Sequence, residues 1–295
     1  MTGNNNHPIQ IVSWNNTLEK QVLELLYKYE ETSLLLLSNL KTYGSKLTSD
    51  TYSGNFKILV KDKKVIAVFV LTKEGGLLAQ TDRKHDYSEL IVNECLKESI
   101  IFKGVVAAWE VAKQIFEFTK SKFPNLKETF CEKEILYSLD LDLFDQKNLI
   151  QYEARLLKEK DFEVWNNLHT SFLNEAGLTS NEDIIARRNR FNKQASQGCW
   201  MGSYINNELI AIAAIGAHVN NTGQIGSVYT IPNMRNKGVS KSLMSQLLLH
   251  GKTNKNIHKA VLFSRPHNSA AIKVYESLGF KRIGSFGLFF WQYEK

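Results

Sequence analysis

Arg235-Asn236-Lys237-Gly238-Val239-Ser240 is the stretch of this chain whose residue types could do chemistry. It follows a β-branched and aromatic run, Val228-Tyr229-Thr230-Ile231, which Pro232 stops. It opens a helical pattern in which Val239, Leu243 and Leu247 recur every four residues, with Gly251 as its expected stop. The first amides of a helix lack partners within it, and the helix dipole places partial positive charge there. Gly238 admits a close approach to the backbone, Ser240 is small, and Arg235 and Lys237 add full charge. Such a turn can capture an anion, above all a phosphate or pyrophosphate. It is neither the G-x-x-x-x-G-K-[ST] loop nor the G-x-G-x-x-G fingerprint.

The elements that must position this turn lie in the second half of the chain. Glu159–Glu175 and Asn181–Ser196 have helical periodicity, the second with Ser180 as a candidate cap. Cys199–Tyr204, Leu209–His218 and Gln224–Ile231 read as strands separated by Asn206-Asn207-Glu208 and Asn220–Gly223 turns. A strand at Lys259–Ser264, a helix from Asn268 and a closing strand at Phe286–Tyr293 complete the half. The first half has the same order. Helices at Leu18–Tyr29 and Thr32–Leu40 precede strands at Phe56–Val60, Val65–Thr72 and Leu77–Gln80. A helix at Tyr87–Glu98, a strand at Ile100–Val106, a helix at Trp109–Lys122 and a strand at Glu134–Leu141 follow. The expected organisation is two copies of one fold, residues 1–147 and 148–295, each a mixed α/β (α+β) sheet flanked by helices.

The strand followed by R-x-x-G-x-S resembles the pyrophosphate motif of the GCN5-related N-acetyltransferase (GNAT) family. Asn268-Ser269-Ala270-Ala271-Ile272-Lys273-Val274-Tyr275-Glu276-Ser277-Leu278-Gly279-Phe280 is similar to the same family's N-x-x-A-x-x-x-Y-x-x-x-G-F segment, in the right order downstream. The resemblance covers roughly residues 150–295. It implies an acyl-CoA N-acyltransferase fold with acetyl-CoA as co-substrate and no metal, and the matching element order of the first half then makes two such folds in tandem. Backbone groups of Val228 and Thr230 would pair with the pantetheine arm as an added strand does, and amides from Arg235 to Ser240 would hold the pyrophosphate. An amine would attack the thioester directly, with a backbone amide near Tyr229 facing the oxyanion. Tyr275 is the expected acid for the departing thiolate, against the simpler reading of a core tyrosine beside Leu278. Asn268 is expected to cap its helix and to touch the cofactor, and Ala271 to leave room for it.

The first half departs from the motif. Its corresponding stretch, LLAQTDRKHDY from Leu77 to Tyr87, lacks the glycine, and Asp82 and Asp86 would repel phosphate. It reads as a degenerate copy. No carboxylate stands on the strand before the turn, so a general base is not legible; His218, His169, Glu175 and Glu208 are the candidates, with a water chain as the alternative. His267 could touch phosphate, and Trp165, Trp200 and Trp291 read as core or pocket wall.

Charge follows the same division. Lys and Arg against Asp and Glu number 19 against 20 in residues 1–147 (−1) and 18 against 10 in 148–295 (+8), summing to the net +7. No run of about 18 apolar residues occurs, so no membrane span is expected. Three well-separated cysteines, Cys95, Cys131 and Cys199, argue against a disulfide framework and suit a cytoplasmic protein. The expected activity is acetyl transfer to a primary amine of a small molecule or peptide, with homodimerisation open and no nucleic acid as partner. A non-catalytic module binding CoA or a polyanion such as RNA, and transfer of another acyl group, are the alternatives.

Overall fold

The structure is a computed structural model and describes residues 8–145, 152–178 and 182–294. Its contacts divide the chain into two compact units: residues 1–134 with 285–295, and residues 135–284. The expected boundary at 147/148 lies outside the described residues, as does the Ser180 cap.

The first unit begins with β1 (Gln10–Ser13), α1 (Glu19–Lys28), α2 (Glu30–Tyr43), β2 (Gly54–Lys61), β3 (Lys64–Thr72) and β4 (Gly76–Thr81). It continues with α3 (Ser88–Cys95), β5 (Gly104–Ala108), α4 (Trp109–Lys122) and the start of β6 (Leu126–Asp140). β1 to β4 form an antiparallel series, β5 joins β4 in parallel, and β12 (Lys281–Tyr293) pairs antiparallel with β5 from Phe286↔Ala108 to Phe290↔Gly104. One core of this unit packs Ile91, Val92, Val111 and Ile115 of α3 and α4 against Phe69, Leu77, Val105, Phe289 and Trp291. Trp291 is therefore a core residue, its indole donating to the Phe102 carbonyl at 2.9 Å.

In the second unit come β7 (Ala154–Leu156), α5 (Phe162–Glu175), α6 (Ile184–Ser196), β8 (Trp200–Ile205), β9 (Glu208–Val219) and β10 (Thr222–Thr230). After them come α7 (Val239–Lys255), β11 (Lys259–Ser264) and α8 (Ser269–Ser277). The sheet order is β7-β8-β9-β10-β11, and the end of β6 adds to β11 in unbroken antiparallel register, Ile135↔Ser264 to Asp140↔Lys259. One face is covered by α7 and α8 through Val239, Leu243, Leu247, Tyr275 and Leu278, the other by α5 and α6 through Phe162, Trp165 and Phe191. Strand–helix–helix–three strands–helix–strand–helix–strand is thus the order in both halves of the sequence. The last strand of each half, however, pairs within the other unit: Phe286–Phe290 of β12 with β5 in the first unit, and Ile135–Asp140 at the end of β6 with β11 in the second.

Gly251 does not end α7, as its position in the sequence suggested. The helix runs to Lys255, and Asn256, with φ +54°, takes the left-handed cap. A Cβ at 251 would meet Ile257 and Ile215 at 3.4 and 3.5 Å, ordinary contact distances, so neither a helix stop nor close packing demands glycine there.

Candidate active site

β10 and β11 run parallel but are paired only at Thr222↔Lys259, Gly223↔Ala260 and Gln224↔Val261. Beyond Gln224 they separate. The cause is local: between Gly226↔Ala214 and Tyr229↔Ile212 an extra residue is inserted in β10, and Ser227 there has φ +51°. A bulge of this kind bends its strand and interrupts pairing. Gly226 sits at the bend, where a side chain would meet nothing within 4 Å, so the space over the bulge is open. The Ile231 amide donates to Ile210 of β9 at 3.0 Å. Strand alternation therefore turns the backbone of Tyr229 toward β9 and that of Val228 and Thr230 toward the gap.

After β10, a 3-10 turn at Pro232–Met234 leads into the exposed residues Arg235–Gly238. Asn236 (φ +61°) and Gly238 (φ +82°) are left-handed. Such turns gather successive amides into an anion-binding concavity. The Arg235 amide closes the 3-10 turn on Pro232 at 3.2 Å, and the helical ladder opens with Ser242 donating to Gly238 at 3.0 Å. The amides between them, through Val239 and Ser240, precede the ladder and point out of the helix start. Ser240 is fastened to the strand by a 2.8 Å hydroxyl–hydroxyl bond with Thr230, and Val239 is buried beneath it.

Arg235 carries a constraint invisible in the motif. Its guanidinium binds both Glu175 oxygens at 2.8 and 2.9 Å, donates to the Thr230 carbonyl at 3.0 Å, and lies 5.4 Å from the Tyr229 ring centre. The Glu175 bond holds its pKa above the ordinary value. Glu175 also accepts from the Tyr229 hydroxyl at 3.2 Å. The next carbonyl, Ala176, accepts from Arg265, which follows β11. The last turn of α5 is thus bonded on both sides of the gap. Among the candidate bases, Glu175 is next to the gap, but its carboxylate is taken up by Arg235.

The others lie elsewhere. His218 bonds the Asn220 carbonyl at 2.7 Å, Glu208 starts β9 in an exposed turn, and His267 is exposed. His169 is buried, stacked on Trp165 at 4.6 Å and edge-on to Trp200 at 5.6 Å. Burial, with Arg190 and Arg187 nearby, lowers its pKa to about 4. Trp165 and Trp200 belong to this core.

Asn268 caps α8, its side-chain oxygen accepting from the Ala271 amide at 3.2 Å. Tyr275 is buried one turn further on, among Tyr137, Leu139, Val239 and Phe280; Val228 and Ala271 pack against the same cluster. The sequence left unread Tyr152, whose hydroxyl donates to the Lys237 carbonyl at 2.9 Å.

The first unit has the same splay, with β4 and β5 paired only at Gly76↔Gly104, Leu77↔Val105 and Leu78↔Val106. Its turn is filled by its own side chains. Asp82 accepts from the Lys84 amide at 3.1 Å, Asp86 from Ser88 at 2.8 Å, and Thr81 from Arg83 at 3.1 Å.

The family model described as acetyltransferase (GNAT) family matches residues 162–280. No curated protein matches the chain. Among solved structures, a Drosophila protein is similar at 12% identity and TM-score 0.68, covering 95% of this chain and 98% of its own. A GCN5-related N-acetyltransferase from Sphaerobacter thermophilus follows at 9%, 0.63, 95% and 94%. A tandem GNAT protein from the clavulanic acid biosynthesis pathway stands at 10%, 0.60, 97% and 98%. At such identities the likeness is one of fold. Motif, splayed strands and family match meet on the same residues: residues 162–280 match the acetyltransferase (GNAT) family model, and the fold of the chain is that of solved GNAT proteins.

Proposed function

We propose that the second unit is an N-acetyltransferase that takes acetyl-CoA as co-substrate and acetylates a primary amine of a small molecule or peptide. The observation that carries this reading is the gap between β10 and β11 ending at a turn whose amides precede the helical ladder. The gap suits an extended pantetheine arm along Val228 and Thr230. The Thr230 carbonyl is already bonded to Arg235, which leaves its amide and the Val228 backbone for that arm. Amides from Asn236 to Ser240 suit the pyrophosphate, and Asn268 and Ala271 border the arm from α8.

The thioester supplies the activated acetyl group. The acceptor amine reaches it over the open bulge at Gly226, where the nearby β10 backbone offers an amide to the oxyanion. Tyr275 holds the proton for the leaving sulfur. Among the described residues, Glu175 is the candidate base next to the gap and its carboxylate is held by Arg235, which favours proton loss through water. The first unit, its turn closed by Asp82 and Asp86, is a copy without cofactor binding. Its unpaired cysteines, with Cys199, suit a reducing compartment.

The test is heat stability with and without acetyl-CoA. A ligand binding only the native state at a hundredfold excess over its Kd stabilises by about 2.7 kcal/mol. The parent should gain such a shift and Gly238→Asp should lose most of it. No shift in the parent, or an equal shift in the variant, would remove the turn as the phosphate site.

A further inference from the structure

Tyr152 lies 85 residues before the turn in sequence and is fastened to the start of α7 by its own backbone. Its amide donates to Ser242 Oγ at 3.1 Å, and its carbonyl accepts from Gln246 Nε2 at 2.8 Å. From that anchorage its hydroxyl reaches the Lys237 carbonyl at 2.9 Å. The Lys237 carbonyl and the Gly238 amide belong to one planar trans peptide and point in opposite directions. Gly238 itself is left-handed at φ +82°, a residue with wide backbone freedom. A bond to its preceding carbonyl therefore fixes where its amide points.

We propose that Tyr152 is a positioning residue of the anion cradle: by holding the Lys237 carbonyl, it keeps the Gly238 amide turned toward the pyrophosphate of a bound coenzyme. The inference rests on the reading of the turn as the pyrophosphate site. The hydroxyl acts before the ligand arrives, so it lowers the ordering that binding must impose on a glycine-containing turn. The Tyr152 ring packs against the core cluster that also holds Tyr275, but among the described residues its hydrogen bonds run to Lys237, Ser242 and Gln246, so loss of the hydroxyl alone acts on ligands that carry the pyrophosphate.

The experiment is Tyr152→Phe, with Kd measured by calorimetry for coenzyme A and for S-acetylpantetheine, which has the arm without the pyrophosphate. Loss of one hydrogen bond should weaken coenzyme A about fivefold, with S-acetylpantetheine binding unchanged and the ligand-free protein still melting cooperatively, lowered only by the small share of one exposed hydrogen bond. Equal weakening of both ligands would make Tyr152 a general structural residue and overturn the proposal, as would an unchanged coenzyme A Kd. Gly238→Asp is run beside it. If that variant binds coenzyme A as well as the parent, the cradle reading fails and takes this proposal with it. If it binds weakly while Tyr152→Phe binds normally, only the role of Tyr152 fails.

Discussion

Tyr275 is buried in the core cluster, with Tyr137 and Phe280 edge-on at 6.2 and 6.1 Å. Removing its hydroxyl leaves that packing intact. Tyr275→Phe should therefore keep its fold and its coenzyme A affinity while turnover falls about a hundredfold; steady-state rates beside binding titrations check this, and equal turnover would return Tyr275 to the core. Features within one turn or helix were legible: the left-handed backbone at Gly238 and the cap at Asn268. Glu175, Arg265 and Tyr152 were not, because each acts across 60 or more residues of sequence. The arginine of the motif illustrates the limit. Its presence could be read, but not that Glu175 holds its guanidinium.

Elements were read best where periodicity ran long enough to declare itself. The helix expected at 109–122 and the strand at 259–264 form over those same residues. β1 and β7, with four and three residues, are too short to carry an alternation, and they were missed. The bulge was missed too, since Ser227 carries no mark of a left-handed backbone. α5 and α6 bring a different consequence. His169 is sealed between them and β8, faced by Arg187 and Arg190 with Glu182 beyond. Its folded pKa of about 4 lies below the unfolded value near 6.5, so the native state resists protonation. Stability is whole above about pH 6.5 and falls as pH drops toward 4, by about 3 kcal/mol from this group. His169→Phe, which keeps an aromatic ring in the stack, should flatten the urea-stability profile across that window; parallel profiles for parent and variant would refute the assignment.

At the scale of the whole molecule, tandem order was legible and strand ownership was not. Matching element order says how many copies there are, but only pairing says which sheet takes the last strand of each. Deleting residues 1–147 would strip Ile135–Asp140 from β11, so the remaining fragment should fail to show a cooperative melt. Ending the chain after Gly284 should loosen the first unit instead, with limited proteolysis cutting first within residues 1–134. Cleavage confined to the second unit would contradict that.

The crossed ownership of β6 and β12 also sets an order of events during synthesis. β5 waits for Phe286–Phe290, some 180 residues downstream, so the first sheet keeps an apolar edge, Gly104–Ala108, through most of translation. The second sheet has its β6 strand made well before β11 arrives to receive it. The nascent protein would thus finish the unit it began last before closing the one it began first, and a chaperone that shields strand edges would have its longest hold on the amino-terminal half.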